Sequence, residues 1–212
     1  MSLSAALAAP KGAPRFARFR LALALLFLAP VLSACGVNNV PTLEESAKAA
    51  WGEVQNQYQR RADLIPNLVE TVKGYAAQER DVLTAVTEAR AKATQTTINA
   101  DQLTDPAAVQ RYQMAQEQLG GALSRLLVTV ERYPDLKSNA NFMALQSQLE
   151  GTENRIAVAR RDYIEAVQAY NTELRTIPGR WIAGFLYPEA QPMQVFEART
   201  GSDTPPPVSF NR

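Results

Sequence analysis

The chain of 212 residues contains no histidine and only one cysteine, Cys35. A lone cysteine cannot close an intramolecular disulfide, so the fold has to be held together by other means. Without histidine, the chain lacks the usual partners of a cysteine in a zinc site and in a thiol nucleophile pair. These absences exclude the commonest chemistry of cysteine, and Cys35 needs a different explanation.

The residues that precede Cys35 have the pattern of a secretory signal. Four basic residues come first, namely Lys11, Arg15, Arg18 and Arg20. An apolar run at 21–32 follows them. This run is shorter than the roughly 20 apolar residues that a transmembrane helix needs. The motif Leu32-Ser33-Ala34-Cys35 resembles the bacterial lipobox, in which cleavage occurs before a lipidated cysteine. We expect residues 1–34 to be a signal peptide, Cys35 to be the lipidated anchor and residues 35–41 to be a short linker; an uncleaved signal anchor is the alternative.

The charge of the chain changes once this signal is removed. Residues 1–34 carry four of the 22 basic residues and none of the 21 acidic ones, so the mature chain has a net charge of −3. Proteins that bind nucleic acid usually show a basic patch or stripe. We therefore expect no nucleic-acid partner, and the mature length fits one domain.

The distribution of proline predicts an all-α protein. Only Pro106 and Pro134 occur between Asn67 and Ile177, and this interval is rich in residues that favour helices. By contrast, prolines crowd the last 25 residues, so we expect a helical domain over 42–187 and an extended, irregular tail over 188–212.

Caps and apolar seams divide the helical domain into about four helices. Thr42 and Glu45 form a capping box for the first, which we expect to kink at Pro66 and resume along a seam that reaches Ala93. Asp105 and Pro106 are a cap and first-turn pair for the next long helix.

The most regular seam belongs to the last long helix, predicted over residues 141–176. The residues of this seam, all apolar except Thr152, recur at steps of three and four: Phe142, Leu145, Leu149, Thr152, Ile156, Ala159, Tyr163, Val167, Tyr170 and Leu174. A helix of this length extends for about 54 Å at 1.5 Å per residue. The pattern predicts an elongated bundle with coiled-coil-like seams.

Several long stretches are similar to the LemA family: WGEVQNQYQRRADLIPNLVETVKGYAAQE, TEARAKA, RYPDLKSNANFMALQSQLEGTENRIAVARRDYIEAVQAYN and VFEA. Together they cover most of residues 38–198. The resemblance implies a membrane-attached, extracytoplasmic antiparallel helical bundle and implies no reaction. Many members have a Phe-Gly-Phe-containing segment where this chain reads Ala183-Gly184-Phe185-Leu186-Tyr187, so the shape of this end of the domain departs from the family pattern.

An aromatic group near the C-terminal end has two interpretations. Trp181, Phe185 and Tyr187 lie close enough in sequence to pack as a plug against one end of the bundle. We favour the plug because clustered aromatic residues are more often core than interface. The alternative is a partner-binding patch.

Two pairs of arginines form the second candidate site, Arg60 with Arg61 and Arg160 with Arg161. If their helices are antiparallel neighbours, the charges could meet and bind an anion or a partner. We favour the simpler interpretation, a solvated face with local ion pairs worth under about 1 kcal/mol each.

Three polar residues interrupt the apolar seams, namely Glu79, Gln116 and Thr152. Di-metal bundles place inward glutamates beside a Glu-x-x-His pair, which this chain cannot form. We expect the three residues to select helix register at some cost in stability. We predict no catalytic residue, no cofactor and no metal ligand.

These observations favour a non-enzymatic lipoprotein, an envelope scaffold or protein-interaction module that faces the periplasm or the cell exterior. Its partners would be the membrane, through the lipid, and another envelope protein. An envelope hydrolase that uses paired carboxylates is the alternative. Membrane remodelling by the bundle itself is a third possibility, which the mixed charges of the helices disfavour.

Overall fold

A computed structural model describes residues 36–196, and all the regular secondary structure in this range is helical. The described chain forms six α-helices and one 3₁₀ helix, Ala100–Thr104, rather than the four helices expected. The α-helices are α1 (Asn39–Lys73), α2 (Arg80–Gln95), α3 (Pro106–Val130), α4 (Pro134–Lys137), α5 (Ala140–Arg175) and α6 (Gly179–Leu186). The proposed signal peptide at 1–34 and Cys35 lie outside the described residues.

Helix α1 begins earlier than the capping box suggested. It starts at Asn39, so Thr42 lies inside the first turns and the residues from 39 onward are helical rather than linker. Val40 is already fully buried. Burial of the Val40 side chain stabilises the helical turn that precedes Thr42, so the helix does not begin at the cap predicted from the sequence.

Helix α1 also continues through Pro66 without interruption. Proline cannot donate to the carbonyl four residues earlier, which leaves the Ala62 carbonyl without its helical partner. The Nε of Arg90 on α2 donates to this oxygen at 2.8 Å. Ile65 and Leu68 on either side of the proline are buried, so a hydrogen bond from another helix and burial both hold the helix together where the sequence predicted a kink.

The seam predicted from Leu68 to Ala93 is divided between two helices. Helix α1 ends at Lys73, just before Gly74, and Glu79 is the residue that immediately precedes α2. The Glu79 carboxylate accepts hydrogen bonds from the Tyr133 hydroxyl at 2.7 Å and from Arg132 at 3.0 Å. The expected register role of Glu79 inside a seam was therefore wrong, because this residue lies in the connection between α1 and α2, directly before α2 begins.

Helices α3 and α5 follow the sequence closely. The Asp105 side chain accepts from the Ala107 amide at 2.9 Å with Pro106 in the first turn, which confirms the predicted cap. Helix α5 has 36 residues and starts one residue before the predicted position. Eight of the ten residues in its predicted seam are buried, and Leu145 and Leu174 are half-buried.

Side-chain contacts give the relative order of the long helices. Trp51 of α1 packs against Tyr112 of α3 and Tyr163 of α5, with ring centroids 5.2 and 5.3 Å apart. Ten residues later, Arg61 contacts Gln116 of α3 and Glu153 of α5. Contacts therefore advance in the same direction along α1 and α3 and in opposite directions along α1 and α5.

The buried apolar residues form two clusters. One is rich in aromatic side chains and includes Trp51, Tyr112 and Tyr163, and the other is mainly aliphatic and includes Leu68, Leu119 and Leu126. On α1, Tyr58 belongs to the first cluster and Ile65 to the second. The polar residue Arg61 lies between them and separates the two clusters along this helix.

The segment after α6 is irregular, and its described part packs against the helices. Asn171 exchanges two hydrogen bonds with the Met193 backbone, both 2.9 Å long, and the Gln194 amide donates to the Leu103 carbonyl at 2.8 Å. Met193 and Phe196 are buried in the aromatic cluster. Residues 188–196 therefore belong to the packed domain, which corrects the expected boundary at 187.

Candidate functional site

Arg61 occupies a buried polar layer, with only 3% of its surface exposed. Its Nη2 donates to the Gln116 side-chain and main-chain oxygens at 2.8 and 3.0 Å, and its Nη1 donates to Glu153 at 3.0 Å. The guanidinium also stacks 5.0 Å from the centre of the Tyr58 ring. One side chain of α1 is thus bound to both α3 and α5.

Gln116 and Thr152 lie in the same buried region. The Gln116 amide donates to the Ala93 carbonyl of α2 at 3.3 Å while its oxygen receives Arg61, so this residue connects three helices. Thr152 is buried and bonds back to the Gln148 carbonyl of its own helix. A layer with these partners favours one helix register, because sliding a helix would leave buried polar groups unpaired.

Of the other three arginines, only Arg160 lies near Arg61, because both are beside Tyr58. Arg60 and Arg161 are exposed, and Arg161 pairs with Asp162 and Glu165 on its own helix. Arg160 is half-buried, with its guanidinium 4.4 Å from the centre of the Phe196 ring. The four arginines therefore differ in burial: Arg60 and Arg161 are exposed, Arg160 is half-buried and Arg61 is buried.

Buried tyrosines surround the aromatic side of this layer. Burial raises the pKa of Tyr58, while Arg160 and Arg61 beside it act in the opposite direction. Burial also raises the pKa of Tyr112 and of Tyr163. These hydroxyls stay protonated at neutral pH, and Tyr163 donates to the Gln194 carbonyl at 2.7 Å. Their arrangement stabilises the core.

Helix α6 presents an apolar face to solvent. Trp181 is 67% exposed and Phe185 is 86% exposed, and Ile177 and Leu186 beside them are also exposed. The predicted aromatic plug was therefore wrong for Trp181 and Phe185; only Tyr187 is half-buried and packs against the core. The alternative, a contact patch, agrees with the observed exposure.

The opposite face of α6 rests on the domain through small residues. Gly179 and Ala183 are buried, and a Cβ on Gly179 would overlap the Glu173 carbonyl oxygen of α5. Residues two positions apart on a helix are about 200° apart around its axis. Burial of Gly179 and Ala183 consequently turns Trp181 and Phe185 outward.

Helix α6 lies at the end of the domain where α1 begins. Ala183 belongs to the same buried cluster as Val40 of α1 and Tyr170 of α5, and Leu43 and Leu174 pack against that cluster. The pKa of Tyr170 rises to about 12, mainly through burial and also through the nearby Glu44 carboxylate of α1. The last turns of α5, the first turns of α1 and helix α6 are therefore neighbours.

The described acidic residues are not grouped as metal ligands. Within residues 36–196 no three cysteine, aspartate or glutamate side chains are grouped to hold a metal ion. A groove between α1 and α5 of about 480 Å³ is lined by both acidic and basic residues, including Glu53, Asp162, Arg60 and Arg155. None of the described helices has a stretch long and apolar enough to span a membrane.

The described residues thus form an all-helical domain with a buried polar layer around Arg61 and an exposed apolar face on α6. Residues 50–210 match the model of the LemA family, and the chain belongs to this family. Similar proteins include magnetosome proteins MamQ 1 and MamQ 2 of Paramagnetospirillum magneticum, each 26% identical over 187 residues. Magnetosome protein MamQ of Magnetospirillum gryphiswaldense is 25% identical over the same length. Each match covers 79% of this chain and 67% of the relative.

Sequence reasoning missed two features of these sites. Arg90 was not singled out, although a proline inside a helix implies that the carbonyl four residues earlier needs another donor. Ile177 was not assigned to the aromatic group, although Ile177, Trp181 and Phe185 recur every four residues. That spacing places Trp181 and Phe185 along one side of α6 and indicates an apolar face, which Ile177 precedes in the turn after α5.

Proposed function

We propose that the protein is a membrane-anchored, non-enzymatic scaffold of the cell envelope. In this proposal the signal peptide at 1–34 is removed, the lipid on Cys35 holds the protein at the membrane, and the helical domain faces the periplasm or the cell exterior. The domain is an elongated antiparallel bundle. The opposite order of contacts along α1 and α5, at Trp51 with Tyr163 and at Arg61 with Glu153, supports this arrangement.

The observation that carries the proposal is the exposed face of α6. Trp51, Tyr163 and Phe142 are buried, whereas Trp181 and Phe185 are turned toward solvent. Exposed aromatic side chains that are grouped together mark contact surfaces. Helix α6 is therefore the surface through which the scaffold touches another component of the envelope.

The relatives fit a role in organisation. Their names assign them to a cellular structure, the magnetosome, and mention no reaction. A sequence identity of 26% supports the same type of role for this chain, that of a structural component. It does not support the inference that this chain belongs to a magnetosome.

Among the described residues 36–196, the contacts of the carboxylates do not favour the hydrolase. The Glu153 carboxylate is paired with Arg61, and that of Glu79 is bonded to Tyr133 and Arg132. A glycosidase of this kind needs one raised-pKa acid facing a second carboxylate across a substrate cleft. Turnover of a glycan, peptide or lipid by the purified protein, lost on substitution of one carboxylate, would overturn the non-enzymatic proposal.

The anchor is tested on the full-length protein made in a bacterial envelope. Mass spectrometry of the membrane fraction should find an N-terminal, acylated Cys35, and Cys35→Ser should release the protein from that fraction. Stable attachment requires more than one acyl chain, because each buried methylene contributes only about 0.8 kcal/mol. An intact Met1 terminus on the membrane-bound protein would contradict the lipoprotein assignment.

The contact surface is tested by photo-crosslinking in the same cells. A crosslinking amino acid replaces Phe185 in one variant and Val128, another exposed apolar residue, in the matched control. We expect adducts with an envelope component, protein or lipid, from position 185 and few from position 128. Equal labelling at the two positions would mean that α6 is an ordinary part of the surface.

A further inference from the structure

We propose that helix α6 is a second membrane contact, whose exposed face enters the lipid headgroup region beside the anchored N-terminus. This inference deepens the proposed function and rests on its lipid anchor. The occupant of the face is the surface of the bilayer itself.

The first argument is position. Helix α6 packs against α5 at Gly179 and Glu173, and Tyr170 in the last turns of α5 lies near Glu44 in the first turns of α1. Ala183 of α6 and Val40 of α1 belong to one buried cluster. Cys35 precedes Val40 by five residues. Because an extended chain spans at most about 3.6 Å per residue, the anchor has to lie within about 18 Å of Val40. The end of the domain that carries α6 is therefore the end held at the membrane.

The second argument is the chemistry of the helix. A helix on a protein surface normally turns its apolar side inward and a polar side to water. Helix α6 buries Gly179 and Ala183 on one face and exposes Trp181 and Phe185 on the other, with Ile177 next to them. An outward apolar face on a surface helix is suited to an apolar surrounding rather than to bulk water.

The third argument is the match to the membrane interface. Tryptophan is enriched at this level because its ring is apolar while its N–H retains a polar partner. The exposed Arg175 and Arg180 flank Ile177 in sequence, and arginine side chains reach the headgroups while their stems cover apolar surface. Eight residues are too few to span a bilayer, so α6 lies along the surface.

The charge around α6 further defines the lipid contact. The acidic Glu173 and Glu189 occur in the same stretch as Arg175 and Arg180, so the charges balance. Insertion is therefore driven by the apolar side chains, whose transfer out of water is little affected by salt. We expect binding to zwitterionic lipid, with no requirement for anionic headgroups.

The experiment uses the native lipidated protein, reconstituted into phosphatidylcholine vesicles with bromine on the upper part of the acyl chains. The chain has two tryptophans, the buried Trp51 and the exposed Trp181. Bromine quenches tryptophan only at short range. We expect loss of Trp181 emission in brominated vesicles, loss of its accessibility to aqueous iodide, and no change in either result at high salt.

Two variants assign the signal. Trp181→Phe leaves Trp51 as the sole emitter, and its emission should be equal in brominated and ordinary vesicles. Phe185→Ser should reduce quenching of Trp181, whereas Val128→Ser on α3, another exposed apolar position, should leave it unchanged. Far-ultraviolet circular dichroism should show the same helix content in all of them.

The outcomes separate this inference from the proposed function. If the protein does not stay with the vesicles after reconstitution, the lipid anchor and this inference both fail. If it stays but Trp181 remains open to iodide and is not quenched by bromine, the anchor stands and the membrane contact of α6 is wrong. Crosslinks from position 185 to protein alone would also overturn the lipid contact, with a protein partner as the occupant.

Discussion

At the scale of single residues, neighbouring arginines have opposite roles. Arg61 is buried and bonded to Gln116 and Glu153, whereas Arg60 next to it is exposed. A helix rotates by about 100° per residue, so adjacent residues need not share a face. The buried guanidinium has to keep its partners, because an unpaired charge or amide in the core is costly.

We predict that Arg61→Ala lowers the free energy of unfolding by about 2–4 kcal/mol, since it leaves the Gln116 oxygen unpaired in the core. The ion pair itself adds little to this loss, because Glu153 is half exposed to solvent. Arg60→Ala is the matched control and should change stability by less than about 0.5 kcal/mol. Urea unfolding measures both, and equal losses would contradict the buried polar layer.

The buried tyrosines predict a loss of stability at alkaline pH. The pKa of Tyr170 is about 12 in the folded protein, whereas an unfolded tyrosine has a pKa of about 10. A raised folded pKa contributes stability that is present below pH 10 and is lost as the pH rises toward 12. Urea midpoints measured from pH 9 to 11 should fall, and Tyr170→Phe should reduce the fall.

At the scale of elements, α1 depends on a hydrogen bond from α2. Pro66 leaves the Ala62 carbonyl without a helical donor, and Arg90 supplies one. The carbonyl belongs to a buried residue. Proline and arginine at these positions therefore act together, although 24 positions separate them in the sequence.

This coupling is testable by a double-mutant cycle. Arg90→Met keeps the apolar stem but leaves the carbonyl unpaired, so we expect a loss of about 1–3 kcal/mol. Pro66→Ala restores the amide that the carbonyl normally uses, and in that background Arg90→Met should cost distinctly less. Additive effects of the two substitutions on urea unfolding would show that Arg90 acts independently of the proline.

The seating of α6 on α5 depends on Gly179. A Cβ there would overlap the Glu173 carbonyl oxygen, whereas nothing lies within 4 Å of a Cβ on Gly184. We predict that Gly179→Ala destabilises the protein by about 1–3 kcal/mol through this overlap. Gly184→Ala should be neutral or stabilising by up to about 1 kcal/mol, because alanine favours helix. Thermal unfolding distinguishes them, and similar melting temperatures would mean that α6 is not tightly seated.

At the scale of the whole molecule, the segment after α6 contributes to the same core as the helices. Phe196 packs on Trp51 and Tyr163 with ring centroids 5.8 and 5.5 Å apart. Asn171 binds the Met193 backbone in both directions. The C-terminal segment thereby connects α1 and α5 around the aromatic cluster.

We predict that ending the chain after Tyr187 lowers the melting temperature markedly, because burial of Phe196 and Met193 is lost and removing a buried aromatic side chain alone costs about 3–5 kcal/mol. Ending it after Phe196 is the matched control, since it keeps every described contact of this segment. If both truncated proteins have the melting temperature of the full chain, residues 188–196 do not contribute to the stability of the core.

The sequence by itself determined the helical class of this protein, the Asp105 cap and the buried seam of α5, because these depend on residues within a few turns of one another. The tertiary structure decided the rest. Whether Pro66 interrupts α1 depends on Arg90 of another helix, and whether Trp181 and Phe185 are core or surface depends on how Gly179 meets Glu173. Helical periodicity shows which residues share a face, but only packing between distant segments decides which face is covered.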